Sequence, residues 1–125
     1  MCDVLIRKPV EDIDVKIFQN LGAGDILFVD SSHRVFQNSD VTVCFLDIIP
    51  YLKPGVFVHF HDILLPWDYS QDYGGVRYYS EQYLLAVFIL GEGNRFKIIM
   101  PNYFVSKKSK FSKSLQQFQI GNLNG

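Results

Sequence analysis

Two short apolar runs do most to limit how this chain can fold, because both end in the same chemistry. The first is Ile26-Leu27-Phe28-Val29, followed at once by Asp30-Ser31-Ser32-His33. The second is Val56-Phe57-Val58, continuing into His59-Phe60-His61-Asp62. The first run shows no apolar–polar alternation, so it reads as a strand covered on both faces. Open α/β sheets hold ligands beyond the carboxyl ends of their strands. Two buried-type strands that both finish in Asp and His therefore point to one site at one sheet edge.

The intervening segments complete an α/β order. Residues 10–21 carry Ile13, Ile17, Phe18 and Leu21 at helical spacing, and Gly22-Ala23-Gly24 stops them. Asn38, Ser39 or Asp40 can cap a second helix bearing Val41, Cys44, Phe45, Ile48 and Leu52, shortened or kinked by Pro50. Lys53-Pro54-Gly55 is a turn into the second strand, residues 56–60. Residues 64–79 form a long aromatic loop, and loops of that length are functional or disordered. Ser80 is placed to cap a helix over 81–90 that Gly91 ends. Residues 96–100 read as a third strand, running on toward Val105. Residues 1–105 are expected to form a partial α/β domain of mainly parallel strands with flanking helices. Residues 106–125 are expected to be a polar segment approaching a further strand. Three strands make a thin sheet, and the first wants a neighbour on its free edge. Homo-oligomers joined through exposed strand edges are expected for that reason.

Composition narrows the partners. The chain has 125 residues, 48% of them hydrophobic and 15% aromatic, enough for the core of one domain. A net charge of −1 argues against nucleic acid. Lys107, Lys108, Lys110 and Lys113 read as a solvated tail. No apolar run approaches the ~18 residues of a membrane span, so no membrane partner is expected. Cys2 and Cys44 form no CxxC, and Cys44 sits in a helical apolar pattern as a small buried hydrophobe. A reducing, cytoplasmic compartment fits that usage.

At the strand ends, Asp30, His61 and Asp62 can ligate a divalent cation. Two carboxylates with water suit Mg²⁺, and an imidazole shifts the preference toward Mn²⁺, Fe²⁺ or Zn²⁺. His33 is a candidate general base, because an ordinary imidazole titrates near neutrality. Ser31 and Ser32 can donate hydrogen bonds to a ligand. Plainer roles exist for each residue taken singly. A strand-end Asp often caps the next turn, and a loop histidine is often only solvated. His59 lies on the same side as Phe57 and His61 and reads as a core histidine bonded to a neighbour. The aromatic loop, with Trp67, Tyr69, Tyr73 and Arg77, is a lid over a flat or sugar-like substrate, a plug over the sheet end, or a surface for a partner chain.

Taken in order, the stretch from Gly24 through His33, then Leu52-Lys53-Pro54-Gly55, then His59-Phe60-His61-Asp62-Ile63, then Glu81-Gln82-Tyr83-Leu84-Leu85 resemble class I S-adenosylmethionine-dependent methyltransferases. Among these, the chain is most similar to the small-molecule and sugar O-methyltransferase-like group of methyltransferase domain 24. The resemblance covers most of residues 4–103 and implies a partial Rossmann-like sheet. It implies S-adenosylmethionine as cofactor, with Asp30, Ser31 and Ser32 on the cofactor side. In metal-dependent members an acid at one strand end and an acidic or amide pair at the next hold Mg²⁺. Asp30 matches the first position and His61-Asp62 the pair, with His61 where a carboxylate is usual. Some sugar O-methyltransferases place a histidine base three residues after the first acid, and His33 matches it.

Family members bind the cofactor with a Gly-rich turn that follows their first strand. Gly22-Ala23-Gly24 precedes a strand instead. The resemblance therefore implies the catalytic side of the fold without its N-terminal cofactor-binding half. Such a fragment of an O-methyltransferase for small-molecule or sugar hydroxyls would be inactive alone. Two other readings stay open: a non-catalytic self-associating α/β module, and a small metal-binding protein using His33, His59, His61 and Asp62.

Overall fold

A computed structural model of the chain describes residues 3–91 and 95–108. Its centre is a parallel pair of strands, β1 (Ile26–Val29) and β2 (Phe57–Phe60), with Ile26 opposite Phe57 and Val29 opposite Phe60. The ladder runs past both ends. Phe57 N–H donates to the Asp25 carbonyl at 2.8 Å, and His61 N–H to the Val29 carbonyl at 2.9 Å. Continuing the register by one step sets Asp30 beside His61.

The crossover between the strands is helical over 40–51. Ser39 caps it, its hydroxyl accepting from Thr42 N–H. α1 (Asp40–Val43) passes into a wider turn, Cys44–Ile48, and a tighter one, Ile49–Tyr51. Pro50 sits in that last turn, where its missing N–H ends the helix. The chain then turns at Gly55, whose φ of +88° only glycine adopts easily. A Cβ there would fall 2.7 Å from the Cβ of Ala23, so glycine also allows the turn to press against the approach to β1.

Val41, Cys44, Phe45 and Ile49 form the buried cluster. Val29, Val58 and Phe60 of the sheet pack on it, as do Leu84, Leu85 and Phe88 of α2 (Glu81–Gly91). Phe45 stacks on Phe60 at 5.0 Å and meets Phe88 edge-on at 5.4 Å. Both arrangements suit the quadrupoles of the rings.

Three expectations are corrected. First, the strands are not covered on both faces. The crossover and α2 join the same cluster, so among the described residues it is the face of Val29, Val58 and Phe60 that is packed. On the other face Ile26 is 65% and Phe28 58% exposed. Second, residues 96–100 form no strand. Phe96 anchors on Phe88 at 5.1 Å, Ile98, Ile99 and Met100 are exposed, and the described sheet has two strands. An apolar run becomes a strand only where a neighbour pairs with it, and Pro101 then heads α3 (Asn102–Lys107). Third, residues 10–21 are two tight 3₁₀ turns, Val10–Asp12 and Val15–Asn20, parted by extended Ile13. The Asp14 carboxylate accepts from Lys16 N–H at 3.0 Å, a local bond that competes with a continuous helix. Cys2, Lys110, Lys113 and the segment 109–125 lie outside the described residues. Among the described residues no helix is long and apolar enough to cross a membrane.

Candidate functional site

Beyond the tip of β1 the chain turns sharply at His33, whose φ is +59°. A left-handed histidine costs roughly 1–2 kcal/mol, and the start of α2 holds it there. The His33 carbonyl accepts from Ser80 N–H at 2.7 Å and Glu81 N–H at 3.1 Å, two amides that a helix start leaves without internal partners. The Ser80 hydroxyl accepts from Val35 N–H at 2.9 Å, which fixes the next part of the same loop.

The side chains lock the same joint. Glu81 is fully buried. One of its oxygens lies 2.7 Å from His33 Nδ1, and the other accepts from the Ser31 hydroxyl at 2.9 Å. His33 N–H in turn donates to Ser31 Oγ at 3.0 Å, closing a ring of hydrogen bonds. Burial pushes the Glu81 carboxyl above the usual carboxylate range, against the pull of the bonds from His33 and Ser31. Ionised, Glu81 accepts the Nδ1 proton of a neutral imidazole and leaves Nε2 bare.

Nε2 faces the two aspartates. It stands 3.7 Å from Asp30 Oδ1 and 3.8 Å from Asp62 Oδ2. His61 Nδ1 lies 3.5 Å from Asp30 Oδ1 and 3.2 Å from Asp62 Oδ1. Strand alternation explains part of this, since Asp30 and His61 share the open face with Phe28 and His59. Asp62, with φ +52°, turns back toward them. Asp30, His33, His61 and Asp62 thus converge as the sequence suggests. His59 stands lower on that face, stacked on Phe28 at 4.9 Å. Ser32 gives both its N–H and its hydroxyl to Asp40 at 2.6 Å, tying the tip of β1 to α1. A crevice of about 470 Å³ runs along β1 between Phe18, Cys44 and Ile48 and reaches Asp30, Ser31 and Ser32.

The aromatic loop lies over one side of this joint. Tyr79 packs against the His33 ring at 4.5 Å. Tyr69 is buried among Tyr73, Tyr79 and Tyr83, with ring centres at 6.4, 5.7 and 6.0 Å. Burial raises the Tyr69 phenol above its ordinary range. Arg77 sits over the Tyr73 ring, and Trp67 packs on Tyr103 and Phe104 of α3. Gln82, fully buried, accepts from Leu64 N–H at 3.0 Å and donates to the Trp67 carbonyl at 3.2 Å, so α2 pins the loop.

The candidate list read from the sequence omits Glu81, although it is the residue that orients His33. One signal was present: two long polar side chains, Glu81 and Gln82, head a helix that continues Tyr83-Leu84-Leu85-Ala86-Val87-Phe88. An acid in a first helical turn is ordinary, however, because it favours the helix dipole. Only the fold shows that this one is buried.

A family model described as a methyltransferase domain matches residues 2–63. That span holds both strands, the helical crossover and Asp30, His33, His61 and Asp62. It ends before the aromatic loop and Glu81. No curated protein and no solved structure matches the chain.

Proposed function

We propose that this chain, whose residues 2–63 belong to a methyltransferase domain, carries the acceptor-activating side of an S-adenosylmethionine-dependent O-methyltransferase with a Rossmann-like sheet. The observation behind this reading is the His33–Glu81 pair, 2.7 Å apart, with the free Nε2 turned toward Asp30 and Asp62. The acceptor is a hydroxyl of a small molecule or sugar. His33 Nε2 takes the hydroxyl proton as the oxygen forms its bond to the transferred methyl carbon. Glu81 is a positioning residue: it keeps the proton of the resting imidazole on Nδ1 and balances the charge the ring gains. The donor, when bound, supplies an electrophilic methyl group on a sulfonium, which leaves as a neutral thioether. Methyl transfer of this kind depends chiefly on alignment. Asp30, Ser31 and Ser32 lie at the lip of the crevice along β1, the position this reading gives to the cofactor side.

The donor types at Asp30, His61 and Asp62 also suit a divalent cation, which would hold and polarise the acceptor oxygen. The aromatic loop, through Trp67, Tyr69, Tyr73 and Arg77, would border the acceptor.

Calorimetric titration with S-adenosylmethionine tests this reading. The chain alone should show no saturable binding, because among the described residues no Gly-rich turn follows a strand, and tight binding would refute the half-domain account. In a protein extended through any open frame upstream, His33→Ala should lower kcat by ~10²–10⁴ with the donor KM unchanged. An unchanged kcat removes His33 as the base.

A self-associating module without catalysis is the second reading. The open face of Ile26, Phe28 and Phe57 favours it, since contiguous exposed apolar surface marks contact sites. Light scattering that shows only monomer at high concentration counts against it.

A further inference from the structure

Three donor atoms at the strand tips are spaced for an ion between them rather than for one another. Asp30 Oδ1 lies 3.7 Å from His33 Nε2 and 3.5 Å from His61 Nδ1, too far for good hydrogen bonds. One ligand atom from each of the three residues lies within 4.8 Å of the others. Ligands ~2.1 Å from a tetrahedral ion are about 3.4 Å apart, whereas ligands of octahedral Mg²⁺ are about 3.0 Å apart. The two Asp30 separations, 3.7 and 3.5 Å, lie nearer the wider spacing.

A second observation concerns the far side of the ring. His33 Nδ1 is held 2.7 Å from the buried carboxylate of Glu81. Metal-binding histidines commonly give their other N–H to a carboxylate, which fixes the tautomer and aims the coordinating nitrogen. Here it aims Nε2 at the aspartates. The donor set also departs from hard-ion sites, because two imidazoles with one carboxylate suit Zn²⁺, Co²⁺ or Fe²⁺ better than Mg²⁺.

We propose that Asp30, His33 and His61 form a site for a transition-metal dication of the Zn²⁺ class, with Asp62 as a further oxygen donor, and that such an ion silences His33 as a base. The ion and the acceptor proton compete for one lone pair, that of Nε2. The silencing rests on the acceptor-activating role proposed above, whereas the metal site does not.

The test uses the full, untagged chain with Co²⁺ as a visible probe. One equivalent should give the intense d–d bands of a four-coordinate ion. Zn²⁺ should displace it stoichiometrically, and an about hundredfold excess of Mg²⁺ should not. Glu81→Gln should weaken Co²⁺ binding ~10–100-fold, as loss of an orienting carboxylate does. His61→Asp, at an exposed position, should bleach the bands and shift the preference toward Mg²⁺. Because His33 is buried and its replacement can unfold the chain, the wild-type Co²⁺ complex supplies a further readout. Its proton spectrum should show two paramagnetically shifted imidazole N–H signals, from His33 and His61.

A pale six-coordinate spectrum, displacement by equimolar Mg²⁺, or the absence of a shifted N–H signal from buried His33 overturns the metal site. The last result would place the ion on Asp30, His61 and Asp62 and leave His33 a base, so the proposed function would survive. Two shifted signals, with His33→Ala leaving kcat intact in the extended protein, would instead sink the proposed function and keep the site.

Discussion

The carboxyl tips of β1 and β2 and the outer face of the same two strands differ in how their side chains are held. At the tips, His33, Glu81 and Gln82 are polar yet buried, and each meets hydrogen-bond partners from a distant element. On the outer face, Ile26, Phe28 and Phe57 are apolar yet exposed. A buried polar group is costly unless its bonds are complete, so the tips tolerate one arrangement. Exposed apolar groups impose no such condition, so the outer face tolerates many. At the strand tips precision follows satisfied polar burial.

Substitutions can break that contrast. The largest effect should come from the core beneath both regions. Phe45→Ala should cost ~3–5 kcal/mol in urea denaturation, because Phe45 bridges Phe60 and Phe88. A loss below about 1 kcal/mol would mean that the sheet and α2 are not joined there. At the tips, Glu81→Ala should cost ~1–3 kcal/mol, since His33 and Ser31 both lose a buried acceptor. If urea midpoints show Glu81→Ala to be neutral, the hydrogen-bonded ring contributes nothing to the fold.

Titration sharpens the view of the core. Burial pushes the Cys44 thiol from 9.0 up to about 12. The unfolded chain loses this proton near pH 9 while the folded chain keeps it. The stability from neutral Cys44 is therefore whole below about pH 9 and drains as pH rises toward 12, at up to ~1.4 kcal/mol per pH unit. In a Cys2→Ser background, Cys44→Ala should flatten the alkaline fall of the urea midpoint by that amount. An identical slope in both proteins would place the thiol in water. The smallest effect belongs to the outer face, where Phe28→Ser should shift stability by no more than about 0.5 kcal/mol. A loss of several kcal/mol would show that something covers that face in solution.

The strand pair, a cap among Asn38, Ser39 and Asp40, the turn at Gly55 and the gathering of Asp and His at the two strand ends were legible in the sequence, because short-range chemistry dictates each one. Alternation put His61 with His59 on one side of β2, whereas the register that sets Asp30 beside His61 came only with the fold. Glu81 was not legible as a partner, since it lies 48 residues from His33 and only tertiary burial separates it from an ordinary helix-start acid. The segment 96–100 misled for a related reason: strand preference records fit to a neighbouring surface, and Ile98 and Ile99 are exposed among the described residues. The unbroken apolar run of β1 likewise suggested two covered faces where one is covered.

The proton on the His33 ring is the most direct check on the whole account. Long-range ¹⁵N–¹H correlation spectra of the metal-free chain, recorded with the ring neutral, report which nitrogen carries it. With Glu81 ionised, the proton should sit on Nδ1, with a bare Nε2 facing Asp30 and Asp62. A proton found on Nε2 would contradict both the base and the metal ligand assigned to that atom.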